Sequence, residues 1–219
     1  PPPWSYDQAT RPLRADTLAK ALDDPCGTPA RLLDAAGDVF AERGYAGTST
    51  REIARRAGVP FGALHYHWGS KQLLWQAVFR RLADRTRDTI LATFTPGRTL
   101  GVLLDHLVDA FLDFFAAQRT VVRLCYRASL EEPELHREVH AMFTELEALG
   151  RDILRQLAPR LDVDVPAAIL VLTNAFVASV VDEPSQEAFL GGSIFKSRKA
   201  RNRLRAELKR LARAVCKVP

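Results

Sequence analysis

The residue types and spacings that could do chemistry are concentrated in residues 50–71, which read Thr-Arg-Glu-Ile-Ala-Arg-Arg-Ala-Gly-Val-Pro-Phe-Gly-Ala-Leu-His-Tyr-His-Trp-Gly-Ser-Lys. Thr48, Ser49 and Thr50 open one short helix, and Gly58 ends it. A second runs from about Phe61 to Tyr66. Two short helices joined by a glycine turn are what a helix-turn-helix requires. Ala54 is small where the helices cross, Gly58 suits a left-handed turn residue, and Ile53, Val59 and Leu64 fill the space between. The second helix can then lie in a DNA major groove with its first turn facing the bases.

Other constellations are weaker. His136 and His140 stand four apart with Glu147 on roughly the same side, a spacing that could hold a metal. The order is His-Arg-Glu-Val-His rather than HExxH, no third His or Cys is near, and the pair flanks the apolar face. Exposed flank histidines are the simpler reading, and no metal site is expected. Asp105, Asp109 and Asp113 form a stripe at helical spacing that reads as a solvated face. There is no nucleophile elbow, phosphate loop, dinucleotide fingerprint or metal-ligand cluster, so neither an enzyme nor a cofactor is expected.

The elements that must position these residues are helical throughout. A chain of 219 residues, 47% hydrophobic, is long enough for one or two domains with a real core. Thr28-Pro29 starts a helix that stops near Gly44, and Ser70 caps a long helix over 71–94. Leu100, Leu103, Leu104, Leu107, Val108, Phe111, Leu112 and Phe115 give the clearest helical period in the chain. Further helices follow over 119–130 and 135–157. Residues 167–181 are apolar almost all round, which implies burial on more than one side. Pro184 ends that helix, a loop with Gly191 and Gly192 follows, and a last helix spans about 198–215.

Residues 196–219 hold ten Lys or Arg against one Glu, Glu207, and so dominate the net charge of +5. Two readings stand for this tail: a solvated face on an interface helix, or added contact with DNA, an acidic partner or a membrane surface. Cys26, Cys125 and Cys216 are far apart and form no CxxC, which argues for a reducing compartment. With no signal pattern at the N-terminus and no apolar run long enough to span a bilayer, a cytoplasmic protein with no membrane partner is expected.

Residues 29–79 resemble the DNA-binding domain of the TetR family of transcriptional regulators. The likeness rests on Ala41 to Gly44 closing the first helix, then Thr50, Ile53-Ala54, Ala57-Gly58-Val59, Gly62, Leu64, His67 and Ser70-Lys71. The prolines at 1–3, 12 and 25 mark residues 1–27 as a largely irregular arm with room for two helical turns at Ala15 to Leu22; the resemblance implies an all-α fold with a three-helix helix-turn-helix DNA-binding domain at 28–74 and a helical ligand-binding and dimerisation domain at 75–219. It also implies a homodimer on a palindromic, double-stranded operator, paired through residues of about 167–182 and 198–215, acting as a repressor released by a small molecule. A ligand-independent member acting at many chromosomal sites is the alternative, for which a basic last helix would be useful.

Carried over by position, Phe61, Gly62 and Ala63 take the base-facing start of the recognition helix, and His65 and Tyr66 lie against the DNA backbone. Thr50 and Arg51 approach phosphate and groove edge, and Lys71 approaches phosphate. Two positions depart from the family pattern: His65 replaces a more usual tyrosine, and Phe61 stands where a polar base-reader often stands. Phe61 either meets a thymine methyl or packs against the first helix. Trp68 is expected as a core plug beneath the recognition helix.

The ligand pocket is expected in the second domain, with walls drawn from Phe111, Phe114, Phe115, Leu124, Cys125, Met142, Phe143, Leu146 and Phe176. Arg123, Tyr126, Thr173 and Asn174 are its polar candidates. Of these, Phe111, Phe115, Arg123, Tyr126, Phe143, Asn174 and Phe176 are the expected ligand contacts. They imply a largely apolar ligand with one polar or anionic end.

Overall fold

A computed structural model describes residues 15–94, 97–131, 133–157 and 163–218, the side chains of 15, 129–131, 133–139, 142, 143 and 157 excepted. Arm residues 1–14, and the side chains of His136, Met142 and Phe143, lie outside that description. Among the described residues there are eleven helices and no strand. The chain divides into two compact units, one up to Arg81 and one from Leu82 onward.

The first unit holds α1 (Ala15–Asp23), α2 (Thr28–Arg43), α3 (Thr50–Ala57), α4 (Phe61–Trp68) and the start of α5 (Lys71–Thr93). Local chemistry sets the helix ends. Ser49 Oγ accepts from the Glu52 amide at 3.1 Å, and Ser70 Oγ accepts from the Leu73 amide at 3.1 Å, so each α3 and α5 start is capped by a side chain. Gly58 closes α3 at φ 64°, the left-handed conformation that a β-carbon disfavours. The core beneath is dense and aromatic. Trp68, Trp75, Phe40 and Phe79 are all fully buried with Leu32, Leu33, Ile53, Leu64 and Leu74. Trp68 is the expected plug. Part of the N-terminal arm is ordered into α1, which packs on α2 with Thr17, Leu18 and Ala21 buried.

The second unit contains the rest of α5, then α6 (Leu100–Ala117), α7 (Arg119–Glu131), α8 (Pro133–Leu157), α9 (Val165–Val181), α10 (Glu183–Leu190) and α11 (Arg198–Val215). Leu104, Val108, Leu112, Phe176, Leu208, Ala212 and Cys216 join α6, α9 and α11 in one apolar cluster. Helix α10 occupies a stretch that the sequence suggests as loop. Pro184 sits in its first turn, where a missing N–H costs nothing, and Asp182 Oδ1 accepts from the Ser185 amide at 3.2 Å. Helix α9, expected either as a central core helix or as one shared between core and subunit interface, is only partly buried within the single chain. Within the single chain Ala168, Phe176 and Val180 are buried, while Leu170 is 64% exposed and Val171 46%. No single helix among the described residues is long and apolar enough to cross a membrane.

The acidic stripe of α6 is not a free solvated face. Asp105 accepts two hydrogen bonds from Arg213, at 3.0 and 2.8 Å. Asp109 pairs with Lys209 at 2.7 Å and Arg205 at 3.1 Å, and Asp113 pairs with Arg201 at 2.9 Å and Arg205 at 3.3 Å. A ladder of ions therefore runs between α6 and α11 at matched helical spacing. The Arg213 hydrogen bond is the main reason the Asp105 carboxyl is held below its ordinary range. Four cations of the basic tail are thus occupied within the unit.

Candidate nucleic-acid interface and ligand cavity

The helix-turn-helix is built by cations that face inward along the backbone. Arg31, on α2, donates from Nη2 to the carbonyls of Ala57 at 2.5 Å and Gly58 at 2.8 Å. A positive charge thereby meets the negative end of α3 and satisfies two carbonyls at the turn. Thr48 Oγ1 donates to the Gly44 carbonyl at 2.6 Å, which holds the α2–α3 connection. Glu52 accepts from Arg55 at 2.9 and 2.8 Å, and Arg43 and Arg56 lie 3.6 Å away. The Arg55 hydrogen bonds are the chief reason its carboxyl is held down to about 2. Arg56 makes a bidentate pair with Glu42.

Above this frame lies an exposed surface built from the residues that the sequence assigns to DNA. Phe61 keeps 45% of its surface exposed, so it belongs to the outer face rather than to the core. The Arg51 guanidinium sits 5.6 Å above the Phe61 ring, and His65 meets that ring edge-on at 5.4 Å. Tyr66 is 76% exposed. His65 Nδ1–H donates to the Gly69 carbonyl at 3.1 Å, since a carbonyl can only accept; this tautomer leaves Nε2 for another partner. Thr50 is half-buried in the first turn of α3, and Ala63 is half-buried in α4.

Gly62 is the most informative position. It is exposed, and a β-carbon placed on it would meet nothing within 4 Å. The fold itself does not require glycine there, and alanine is the better helix former. A bare backbone on the first turn of an exposed helix is instead suited to close approach by another molecule.

Lys71 is placed differently from its expected role at phosphate. Its Nζ donates to the carbonyls of Tyr45 at 2.9 Å and Thr48 at 3.1 Å, and lies 4.3 Å from the Tyr45 ring centre. It ties the start of α5 to the α2–α3 connection. Lys20, absent from the sequence-derived set, lies near His67; burial first and Lys20 second push that imidazole below its ordinary range and favour the neutral ring.

The second unit holds a partly open cavity of about 740 Å³, within the usual range for small-molecule sites. Phe111, Phe115, Tyr126, Asn174 and Phe176, five of the expected ligand contacts, line it. Cys125, Leu146 and Thr173 line it too, while Phe114 and Leu124 do not. Arg123 is not in the wall. Its Nε donates to the Val180 carbonyl at 3.3 Å and its Nη2 lies 3.5 Å from Glu183, so it braces the end of α9. The polar strip of α8, His140, Thr144 and Glu147, also reaches the cavity, although the sequence marks His140 and Glu147 only as a flank beside a possible metal pair. Its signal was the i, i+4, i+7 spacing. Among the described residues no group of three His, Cys, Asp or Glu could hold a metal.

The family model for bacterial regulatory proteins of the tetR family matches residues 32–78, and the tetracyclin repressor-like C-terminal domain matches 99–214. The transcriptional activator FasR of Mycolicibacterium smegmatis is 35% identical over 113 residues, half of each chain. The transcriptional repressor KstR2 of Rhodococcus jostii is 28% identical over 143 residues, 65% of each. The chain therefore spans between half and just under two thirds of these relatives' lengths. Among solved structures, Salmonella enterica GusR superposes with a TM-score of 0.68 at 23% identity, covering 87% of this chain and 95% of that one. The fatty acid degradation regulator FadR from Bacillus halodurans gives 0.65 at 19%, covering 85% and 93%. These two likenesses establish the fold.

Proposed function

The chain belongs to the tetR family of bacterial regulatory proteins, and from that premise we propose that it is a DNA-binding transcriptional regulator. The contiguous exposed surface of Arg51, Phe61, Gly62, His65 and Tyr66 carries this reading. Helix α4 enters the major groove by its first turn, with Gly62 and Ala63 against base edges and the Phe61 ring against a thymine methyl. Arg51 and Thr50 approach the groove edge, and His65 and Tyr66 approach the sugar-phosphate backbone. Lys71 supports this surface by holding the α2–α3 connection.

The protein acts as a homodimer. The exposed apolar face of α9, with Leu170 and Val171, and the outer face of α11 supply the pairing surface. Two recognition helices must then sit about one DNA turn apart, ~34–36 Å, on a palindromic operator. A small, largely apolar molecule in the cavity sets that spacing. Helix α5 begins with Lys71 in the first unit, and its later turns bring Leu82, Thr86 and Ile90 to the cavity wall. Release then follows from a ligand that binds one arrangement of α5 better than another. The many-site alternative draws on a basic last helix, of which Arg201, Arg205, Lys209 and Arg213 are held in ion pairs with α6, leaving the other tail cations to support it.

Selection of genomic DNA fragments by the purified protein, followed by footprinting, tests the proposal. The expected result is a palindrome with half-site centres one helical turn apart. Fragments with no dyad, or many scattered sites, would count against it.

A further inference from the structure

Resting on the reading of the cavity as the effector site, its lining specifies the charge of what enters. Among the described lining residues there is no lysine or arginine. The acidic and imidazole side chains among the described lining residues are His140, Glu147 and Asp164, beside the thiols of Cys125 and Cys216 and the Tyr126 phenol. Asp164 is occupied as the cap of α9, its Oδ1 accepting from the Ala167 amide at 3.1 Å. Glu147 is half-buried and forms no ion pair among the described residues.

The neutral polar groups point to the same ligand chemistry. Thr86 donates its hydroxyl proton to the Leu82 carbonyl at 2.8 Å, Thr93 to Ile90 at 2.7 Å, and Thr144 to His140 at 3.1 Å. Asn174 Nδ2 donates to the Leu170 carbonyl at 2.8 Å. Each of these side chains places a donor on its own helix and keeps oxygen lone pairs, while Asn174 retains a second N–H and the Tyr126 and Thr173 hydroxyls also line the cavity. A largely apolar cavity whose described lining offers spare acceptors, a carboxylate and neither lysine nor arginine suits a hydrogen-bond donor. A ligand carboxylate or phosphate would add a second negative charge beside the half-buried Glu147. An ammonium would neutralise Glu147 instead.

We propose that the cavity selects a lipophilic amine, its hydrocarbon body among Leu104, Phe111, Phe115, Ile153 and Phe176 and its ammonium at Glu147. The largely apolar ligand with one polar or anionic end, expected from Arg123, Tyr126, Thr173 and Asn174, becomes on this reading one whose polar end is cationic.

Calorimetry on the full chain with decylammonium, 1-decanol and decanoate, each below its aggregation limit, tests this. These probes share one hydrocarbon tail and differ in head charge. Decylammonium is expected to bind at least tenfold more tightly than decanoate, with decanol between. Glu147→Gln should lower decylammonium to the level of decanol and leave decanol unchanged. Gly150→Leu should remove binding of all three. A β-carbon at Gly150 meets only Ile169 Cδ1, at 3.4 Å, so Gly150→Ala serves as the folded control. Decanoate binding as tightly as decylammonium, or a Glu147→Gln protein that keeps its preference, overturns the charge assignment alone. Binding of none of the probes, or binding indifferent to Gly150→Leu, overturns the effector reading beneath it.

Discussion

Helices α4 and α11 put charge to opposite uses. Helix α4 carries no lysine or arginine, yet it presents the exposed Phe61, Gly62, His65 and Tyr66. Helix α11 is crowded with cations, yet four of them turn onto Asp105, Asp109 and Asp113 of α6. The same division recurs inside the first unit, where Arg31, Arg55, Arg56 and Lys71 bind carbonyls or carboxylates of the fold. A count of basic residues thus locates cations without saying what they face. On the proposed reading, recognition rests on shape, aromatic surface and bare backbone, over a frame held together by charge.

Breaking the inward cations separates the two roles. The largest effect is expected for Lys71→Ala, which leaves two carbonyls without their charged donor. The cost is about 1–2 kcal/mol, at the lower end for hydrogen bonds to a charged group because the site is half-exposed. Thermal unfolding should show the loss. The salt slope of operator binding should stay unchanged; a slope flatter by about one unit would return Lys71 to the phosphate.

A smaller effect is expected in the second unit. Asp109→Asn weakens contacts with Arg205 and Lys209, both partly exposed, and should cost below about 1 kcal/mol. Operator affinity at fixed salt should remain within twofold. A marked gain in non-specific DNA binding would show instead that α11 cations are poised for DNA.

The smallest effect concerns acid. Glu52 is held from an ordinary value of 4.5 down to about 2, and Asp105 is held low in the same direction. Their stabilisation is fully present above pH 4.5 and declines as pH falls toward 2, because the unfolded carboxyls take up protons first. Glu52→Gln should therefore flatten the fall in melting temperature between pH 4.5 and 2, measured at constant ionic strength.

What the sequence disclosed follows the range of the interaction. The caps at Ser49 and Ser70 and the turn at Gly58 depend on neighbours within a few residues, and the helix-turn-helix follows from them. Lys71 bonds across 26 and 23 residues, and Arg213 reaches Asp105 across 108, so each side of those pairings reads alone as a solvated charge. Pro184 reads as a stop when considered singly and as a start once Asp182 caps the next helix. In the cavity the aromatic wall was legible from the period of α6. The misplacement of Arg123 was not, because α7 turns it toward the end of α9.

The most direct test uses Gly62→Ala, with thermal stability and operator affinity measured on one preparation. Open space around that position predicts a melting temperature equal or higher, with a gain of up to about 1 kcal/mol from helix propensity. Close approach of DNA predicts that operator affinity falls at least tenfold at the same time. A variant that is more stable and binds its operator as tightly as before would contradict the placement of the first turn of α4 against the bases.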